Sequence, residues 1–420
     1  MSAQKSAAII ENLKRKSGTN DVLEEHIAVE EAVVGRPLVT GNKVTLLQDG
    51  AETYKAMFAA IKGAKDHINL ESYIFDDDEI GRQFADMLIE KQSQGTQVNL
   101  IYDSVGSINT PRAFFDHMAE HGIRILEFNP VNPLAVKKEW LINNRDHRKL
   151  MIVDGRIAFV GGINISSVYS RGPFSKRPKI PKASTKKSDK DAPWRDTHMR
   201  LEGPAVSEFQ QYFLQTWQQQ KADPLPQKNY FPAIEKKGND LVRAIGSSAG
   251  DPYNPIYVTL ISAITNAENY VYITNAYFVP DPQFLQVLEA ATKRGVDVRI
   301  ILPSHTDSWL VLYAGRSYYT ALLKAGVKIY ERRGPLLHSK TVIVDGVWSS
   351  VGSTNLDWRS FVHNNELNAV VLGSEFAMQM DAMFEKDLKE STEINLQKWQ
   401  RRSPISRIQE WVARRWEYWL

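Results

Sequence analysis

Short runs in which apolar residues alternate with polar ones or stand together recur along the chain. They are separated by stretches whose apolar positions return every three or four residues. The first pattern predicts strands and the second helices. HINLESYIF (67–75) leads through a helical stretch into GTQVNLIYDS (95–104), and through another into HGIRILEF (121–128). The same succession returns in YVYITNAYF (270–278), GVDVRIILPS (295–304) and AGVKIYER (325–332). Strands that alternate with helices argue for a largely parallel sheet with helices on its faces.

The repeat is sharpest in the segments that follow. HRKLMIVDGRIAFVGGIN begins at His147 and HSKTVIVDGVWSSVGSTN at His338, 191 positions later, and Gly161 and Gly352 keep the same separation. The chain is therefore predicted to be α/β, with two repeats packed face to face and the active site between them. Each repeat is expected to be a mixed, mostly parallel sheet flanked by helices. Residues 41–222 make the first repeat and 241–395 the second. Residues 1–40 read as helix and loop, 223–240 as a linker, and 396–420 as an amphipathic tail rich in Trp and Arg. In that tail Ile405, Ile408, Trp411, Val412, Arg415 and Trp416 fall at helical spacing. They suit either packing on the protein's own body or a helix lying in a lipid interface. An insertion at 171–190 carries eight Lys and Arg against one acid and little apolar content, so it reads as a mobile basic loop. Its sharper reading is attraction to anionic lipid headgroups.

Composition narrows the chemistry. The 420 residues carry a formal net charge of +3, too mild to argue for nucleic acid by itself. There is no cysteine, which excludes disulfides, thiolate nucleophiles and zinc–thiolate centres. No stretch reaches the roughly 18 uninterrupted apolar residues of a spanning helix. The first residues do not resemble a secretory signal. The expectation is a cytoplasmic protein that can lie on a membrane.

If residues 147–153 form a strand, His147 and Lys149 point to one face, and Asp154-Gly155 forms a hairpin turn. The returning strand brings Gly161, Gly162 and Asn164 back beside His147. In the second copy Gly352, Ser353 and Asn355 return beside His338 and Lys340. Each half thus presents an imidazole, an ammonium group and a carboxamide, with small residues leaving room for substrate. This set suits phosphoryl transfer. Lys149, Lys340, Asn164 and Asn355 are candidate donors for the growing charge on the non-bridging oxygens. One imidazole can attack phosphorus while the other protonates the leaving alkoxide. No metal or other cofactor is required. Asp154 and Asp345 are expected to hold their hairpins rather than touch substrate. Glu71, Tyr73, Asn275 and Tyr277 are pocket candidates, Tyr73 and Tyr277 being read as equivalent positions of the repeat.

The doubled H-x-K-x-x-x-x-D, with its downstream Gly-Gly or Gly-Ser and Asn, resembles the phospholipase D superfamily over roughly 41–395. Within it the chain looks most like bacterial cardiolipin synthases of the type without N-terminal membrane spans. ESYIF (71–75), NAYFVP (275–280), RLEGP (200–204), PLLHSK (335–340) and VGSTNLDWRS (351–360) carry that likeness. The resemblance implies catalytic motifs His147, Lys149, Asp154 and His338, Lys340, Asp345, with His147 as nucleophile and His338 as acid and base. It implies that Asp196, in the first half, and Glu366, in the second, are the carboxylates that orient the motif histidines. It further implies phosphatidyl transfer between phospholipids, with phosphatidylglycerol as donor and acceptor or phosphatidylethanolamine as donor. The partners would be those lipids and an anionic membrane surface, with no nucleic acid. The location would be peripheral, on the cytoplasmic face of the cell membrane. A phospholipase D hydrolase, a nuclease of the same superfamily and a non-enzymatic membrane scaffold stand as rival readings.

Overall fold

The computed structural model describes residues 37–131, 143–170, 192–251 and 253–417. The expected N-terminal helix, the basic insertion at 171–190 and the tail residues Trp419 and Leu420 lie outside the described residues. Strands of the first half are β1 (Val39–Gln48), β2 (His67–Ser72), β3 (Gln97–Asp103), β4 (Arg124–Phe128), β5 (Arg145–Asp146), β6 (Lys149–Val153), β7 (Ile157–Gly161) and β8 (Thr197–Glu202). Those of the second are β9 (Asp240–Ser247), β10 (Tyr270–Asn275), β11 (Asp297–Pro303), β12 (Lys328–Arg332), β13 (Lys340–Val344), β14 (Trp348–Gly352), β15 (Asn364–Leu372) and β16 (Ser391–Glu393).

The strand order is β16-β12-β11-β10-β13-β14-β15-β9-β1-β8-β7-β6-β2-β3-β4. Read outward from the β9–β1 seam, the two halves have the same topology apart from the edge strand β16 of the second, so the sequence repeat is also a structural one. Local signals repeat with it. Asp78 caps the helix Glu79–Ser93 and Asp281 caps the helix Pro282–Lys293, each carboxylate accepting from a backbone N–H of the first turn. Gly95 and Gly295, both at positive φ, follow those helices and turn the chain into β3 and β11.

The α/β class and the mixed sheet are as expected, but parallel pairing does not predominate. It is confined to β2–β3–β4, β10–β11–β12 and the short β5 against β15. The other neighbours run antiparallel. The reason is local: parallel neighbours need a crossover helix, whereas each motif hairpin returns through a tight turn and is followed by another antiparallel strand. The halves share one continuous sheet through β1 and β9, and they also pack face to face. A central apolar core takes Leu150, Ile152 and Leu201 from the first half and Ile343, Leu367 and Val371 from the second. Two outer cores lie under the remaining helices of each half. Strand β6 is buried on both sides. Leu150 and Ile152 enter the central core, and Met151 and Val153 enter an outer one, which is why this strand reads as a continuous apolar run.

Candidate active site

The motif hairpins begin at the strand ends where the halves meet. The His147 N–H donates to the carbonyl of Asn365 at 3.0 Å, and the His338 N–H donates to the carbonyl of Arg195 at 2.8 Å. Each motif histidine is therefore stitched to the residue just before the other half's candidate acid. Side chains follow the same crossing. His147 Nδ1 lies 3.0 and 3.1 Å from the two oxygens of Glu366. His338 Nδ1 lies 2.7 Å from Asp196 Oδ2. The sequence does not say which acid serves which histidine; in the folded chain each histidine pairs with the acid of the other half. A carboxylate can only accept, so both rings carry a proton on Nδ1 and turn Nε2 toward the cleft.

The carboxylates are not equivalent. Burial acts to raise Asp196, but the charge and hydrogen bond of His338, with Lys340 behind them, outweigh it and hold the carboxyl low. Burial pushes Glu366 up to about 7, opposed by Lys149 and by hydrogen bonds from Ser353 and Asn364. Burial, then the charges of Lys149, Lys340 and His338, hold His147 well below the usual imidazole range. His338 is also lowered, by burial and Lys340, against the opposing pull of Asp196. His147 is thus kept as neutral imidazole. His338 faces the firmer anion, the better support for an imidazolium.

Burial brings Lys149 down to about 7 and Lys340 down to about 8. Lys149 Nζ donates to the His147 carbonyl at 2.6 Å, and Lys340 donates to the His338 carbonyl. Each ammonium is thereby fixed beside its own histidine. Lys149 also lies 5.2 Å over the Tyr73 ring.

Asp154 and Asp345 do other work. Asp154 accepts from the backbone N–H groups of Lys65, Asp66 and His67. Asp345 accepts from those of Glu268, Asn269 and Tyr270. Both hold the loop that enters the neighbouring strand, and both stand at positive φ before a glycine also at positive φ. With the hydrogen bonds from Arg156 N–H to Val153 and from Val347 N–H to Val344, these are mirror-image two-residue turns. Replacing Asp345 by alanine leaves three N–H groups without their acceptor. It is expected to lower unfolding free energy by roughly 2–4 kcal/mol, read as a shift in urea midpoint, with turnover per folded molecule retained.

The remaining candidates divide. Asn164 Oδ1 accepts from Ile74 N–H, and its Nδ2 donates to Tyr169 Oη at 2.9 Å. Asn355 is buried, and its Oδ1 has no hydrogen-bond partner among the described residues. Neither caps a helix; Ser166 and Asp357 take that role. Tyr73 lies edge-on to His147 at 5.0 Å and Tyr277 edge-on to His338 at 6.4 Å, so both rings flank the site. They are not equivalent positions, however. Phe75 bridges Ile165 as Phe278 bridges Leu356, which places Tyr73 two residues before its bridge and Tyr277 only one before. Glu71 is not a pocket residue. Ser72, not Glu71, opposes Lys149, as Asn275 opposes Lys340, so Glu71 points to the other face. There it accepts from Thr216 Oγ1 at 2.9 Å and lies 3.9 Å from Arg148. Asn275 holds the Asn355 loop by accepting from Leu356 N–H.

Several contributors are not apparent from the motifs. Tyr169 Oη reaches His338 Nδ1 at 3.2 Å, and the Trp194 ring lies 5.6 Å from the His338 ring. Ser353 hydrogen-bonds Glu366, while its counterpart in the repeat is Gly162. A Cβ at Gly162 would fall 2.2 Å from Asp196 Oδ1. The Gly/Ser difference between the two motifs was legible, and it marks which acid stands closer to its hairpin. Among the described residues no three His, Asp or Glu side chains gather as a metal site.

Known proteins resemble this chain. A family model described as cardiolipin synthase, phospholipase D-like domain, matches residues 57–171 and 260–388. A cardiolipin synthase of Geobacillus kaustophilus is 35% identical over 380 residues, covering 90% of this chain and 72% of the relative. One from Alkalihalophilus pseudofirmus is 33% identical, covering 96% and 77%. The crystal structure of a phosphatidylserine synthase from Haemophilus influenzae superposes with a TM-score of 0.69 at 12% identity, over 94% of this chain and all of that one, a likeness of fold.

Proposed function

The chain belongs to the phospholipase D-like cardiolipin synthase family, and on that premise we propose that it makes cardiolipin by phosphatidyl transfer between two phospholipids. The observation that carries this reading is the crossed pair of histidines, His147 on Glu366 and His338 on Asp196, with Lys149 and Lys340 beside them.

His147 Nε2 attacks the phosphorus of phosphatidylglycerol or phosphatidylethanolamine. The bond from phosphorus to the headgroup oxygen breaks, and His338 Nε2 delivers its proton to the departing alkoxide. His338, now neutral, takes the proton of a primary hydroxyl on a second phosphatidylglycerol. That oxygen attacks phosphorus, and the phosphorus–nitrogen bond breaks to free His147. Lys149, Lys340 and the side-chain amides of Asn164 and Asn355 stabilise charge on the non-bridging oxygens throughout. The substrate's own negative charge raises His338 on binding and so supplies the proton that the first step needs. With this goes a peripheral position on the cytoplasmic face of the membrane. Among the described residues no helix is long and apolar enough to cross a bilayer.

Purified protein given labelled phosphatidylglycerol vesicles is expected to yield cardiolipin and free glycerol in equal amounts. Phosphatidate as the dominant product would move the reading to hydrolysis, and cleavage of plasmid DNA without lipid products to a nuclease.

The lysines set an alkaline limit. Their ammonium forms are the active ones, so activity is present below their pKa values and lost as pH rises through them. For the free enzyme, kcat/KM is expected to fall with a midpoint between about 7 and 8. Lys149→Arg keeps the charge and should move that limb upward while lowering the plateau. A pH profile at fixed ionic strength checks both.

A further inference from the structure

The helix Pro404–Arg414 carries Ile405, Ile408, Val412 and, just beyond it, Trp416 at three- and four-residue spacing, with Trp411 alongside. Ile405 is 69% exposed, Ile408 and Trp411 61%, and Trp416 55%. The opposite side is fastened down. Ala413 and Glu410 are buried, Glu410 pairs with Arg402 at 2.5 Å, and Tyr318 hydrogen-bonds Glu417. The helix is therefore held in one orientation with its apolar arc facing out, and no described residue of the chain covers it.

The charge beside that arc is one-sided. Residues 401–417 contain five arginines and two glutamates. Arg407 and Arg414, two turns apart, line a cleft of about 400 Å³ with Thr320, Trp411 and Glu410; Glu410 is neutralised by Arg402, and Arg414 lies 3.6 Å from Glu417. The Arg415 guanidinium lies 4.9 Å over the Trp411 ring, with an apolar body below and a cation at the rim. The helix packs on the helix Trp309–Arg316, and Asp307, two residues before that helix, accepts from Tyr277 Oη at 2.5 Å, beside His338. One helix thus separates this surface from the candidate active site.

We propose that the helix Pro404–Arg414 lies in the interfacial plane of an anionic bilayer. Its apolar arc enters the acyl boundary, and the Arg407–Arg414 cleft takes lipid phosphate groups. The charge complementarity fixes the occupant: a neutral apolar partner gains nothing from the arginine row, whereas each arginine near an anionic surface adds attraction. The proposal rests on the lipid-substrate reading for its purpose, but binding can be measured without turnover.

The chain has no cysteine, so Ile408→Cys can carry a single polarity-sensitive fluorophore. Phosphatidylglycerol vesicles are expected to shift its emission to the blue and expose it to quenching by brominated lipid; phosphatidylcholine vesicles are expected to do so far less. By co-sedimentation, Arg407→Gln with Arg414→Gln should weaken binding to phosphatidylglycerol vesicles about thirty-fold at moderate salt. Ile405→Glu with Trp411→Glu should weaken it about a hundred-fold or more. Circular dichroism confirms that the variants fold. Three results would overturn the proposal: no shift with either vesicle, a fluorophore already shielded without lipid, or a dimer in light scattering that Ile408→Glu dissociates. Vesicle binding without lipid products would count against the proposed activity and leave this inference standing.

Discussion

His147→Ala is expected to reduce phosphatidyl transfer on the order of 10⁴- to 10⁶-fold and to abolish any covalent phosphatidyl adduct. His338→Ala should be as damaging with natural lipids but for a different reason. Glycerol and ethanolamine leave as strongly basic alkoxides and need a proton. A nitrophenyl phosphodiester leaves as a weakly basic phenolate and does not. With that substrate His338→Ala should still release nitrophenol in a burst and retain the phosphorus on the protein, while His147→Ala should do neither. The opposite outcome would make His338 the nucleophile. The expected direction follows from the two environments. His147 is held well below the usual imidazole range by burial and by the charges of Lys149, Lys340, His338 and Arg359, and its carboxylate, Glu366, is itself pushed up to about 7. His338 faces Asp196, which stays low.

The second large effect tests the crossing of the two halves. Glu366→Gln and Asp196→Asn each replace an acceptor by an amide that can donate to Nδ1. In Glu366→Gln the His147 ring then carries its proton on Nε2, the wrong tautomer for attack, and in Asp196→Asn His338 loses the anion that supports its imidazolium. A loss of about 10²- to 10⁴-fold is expected for each. The substrate pattern is the sharper readout. Because Glu366 contacts His147, Glu366→Gln should behave like His147→Ala and fail even with the nitrophenyl substrate. Because Asp196 contacts His338, Asp196→Asn should behave like His338→Ala and be rescued by it. Pairing within each half predicts the reverse. Ring nitrogen chemical shifts of His147 in Glu366→Gln give a check that does not depend on turnover.

Why the acids cross is visible in the backbone. Strand β5, just before His147, pairs with the start of β15, and Arg195 bridges Leu337 just before His338. Each motif histidine enters its site hydrogen-bonded to the other half. No spacing within either repeat encodes this, because the contact joins positions 219 residues apart in one case and 142 in the other. Glu71 failed as a pocket candidate for a related reason. Strand periodicity says which residues share a face, but the face of one strand relative to its neighbour is set by register, and a shift of one residue inverts it. The same one-residue shift separates Tyr73 from Tyr277.

The sequence by itself determined the duplication, the α/β class, the motif hairpins with their turns at Asp154 and Asp345, and the two His-Lys sets. Those features are local: they depend on side-chain alternation, turn chemistry and repetition within a few residues. Only the tertiary structure decided that antiparallel pairing dominates the sheet and that Glu366 serves His147 while Asp196 serves His338. It alone decided that Tyr169 and Trp194 close around His338 and that the apolar arc of the helix Pro404–Arg414 faces outward. These depend on which surfaces of distant segments meet when the two halves bury their central core, and burial is non-directional, so no local pattern records its outcome.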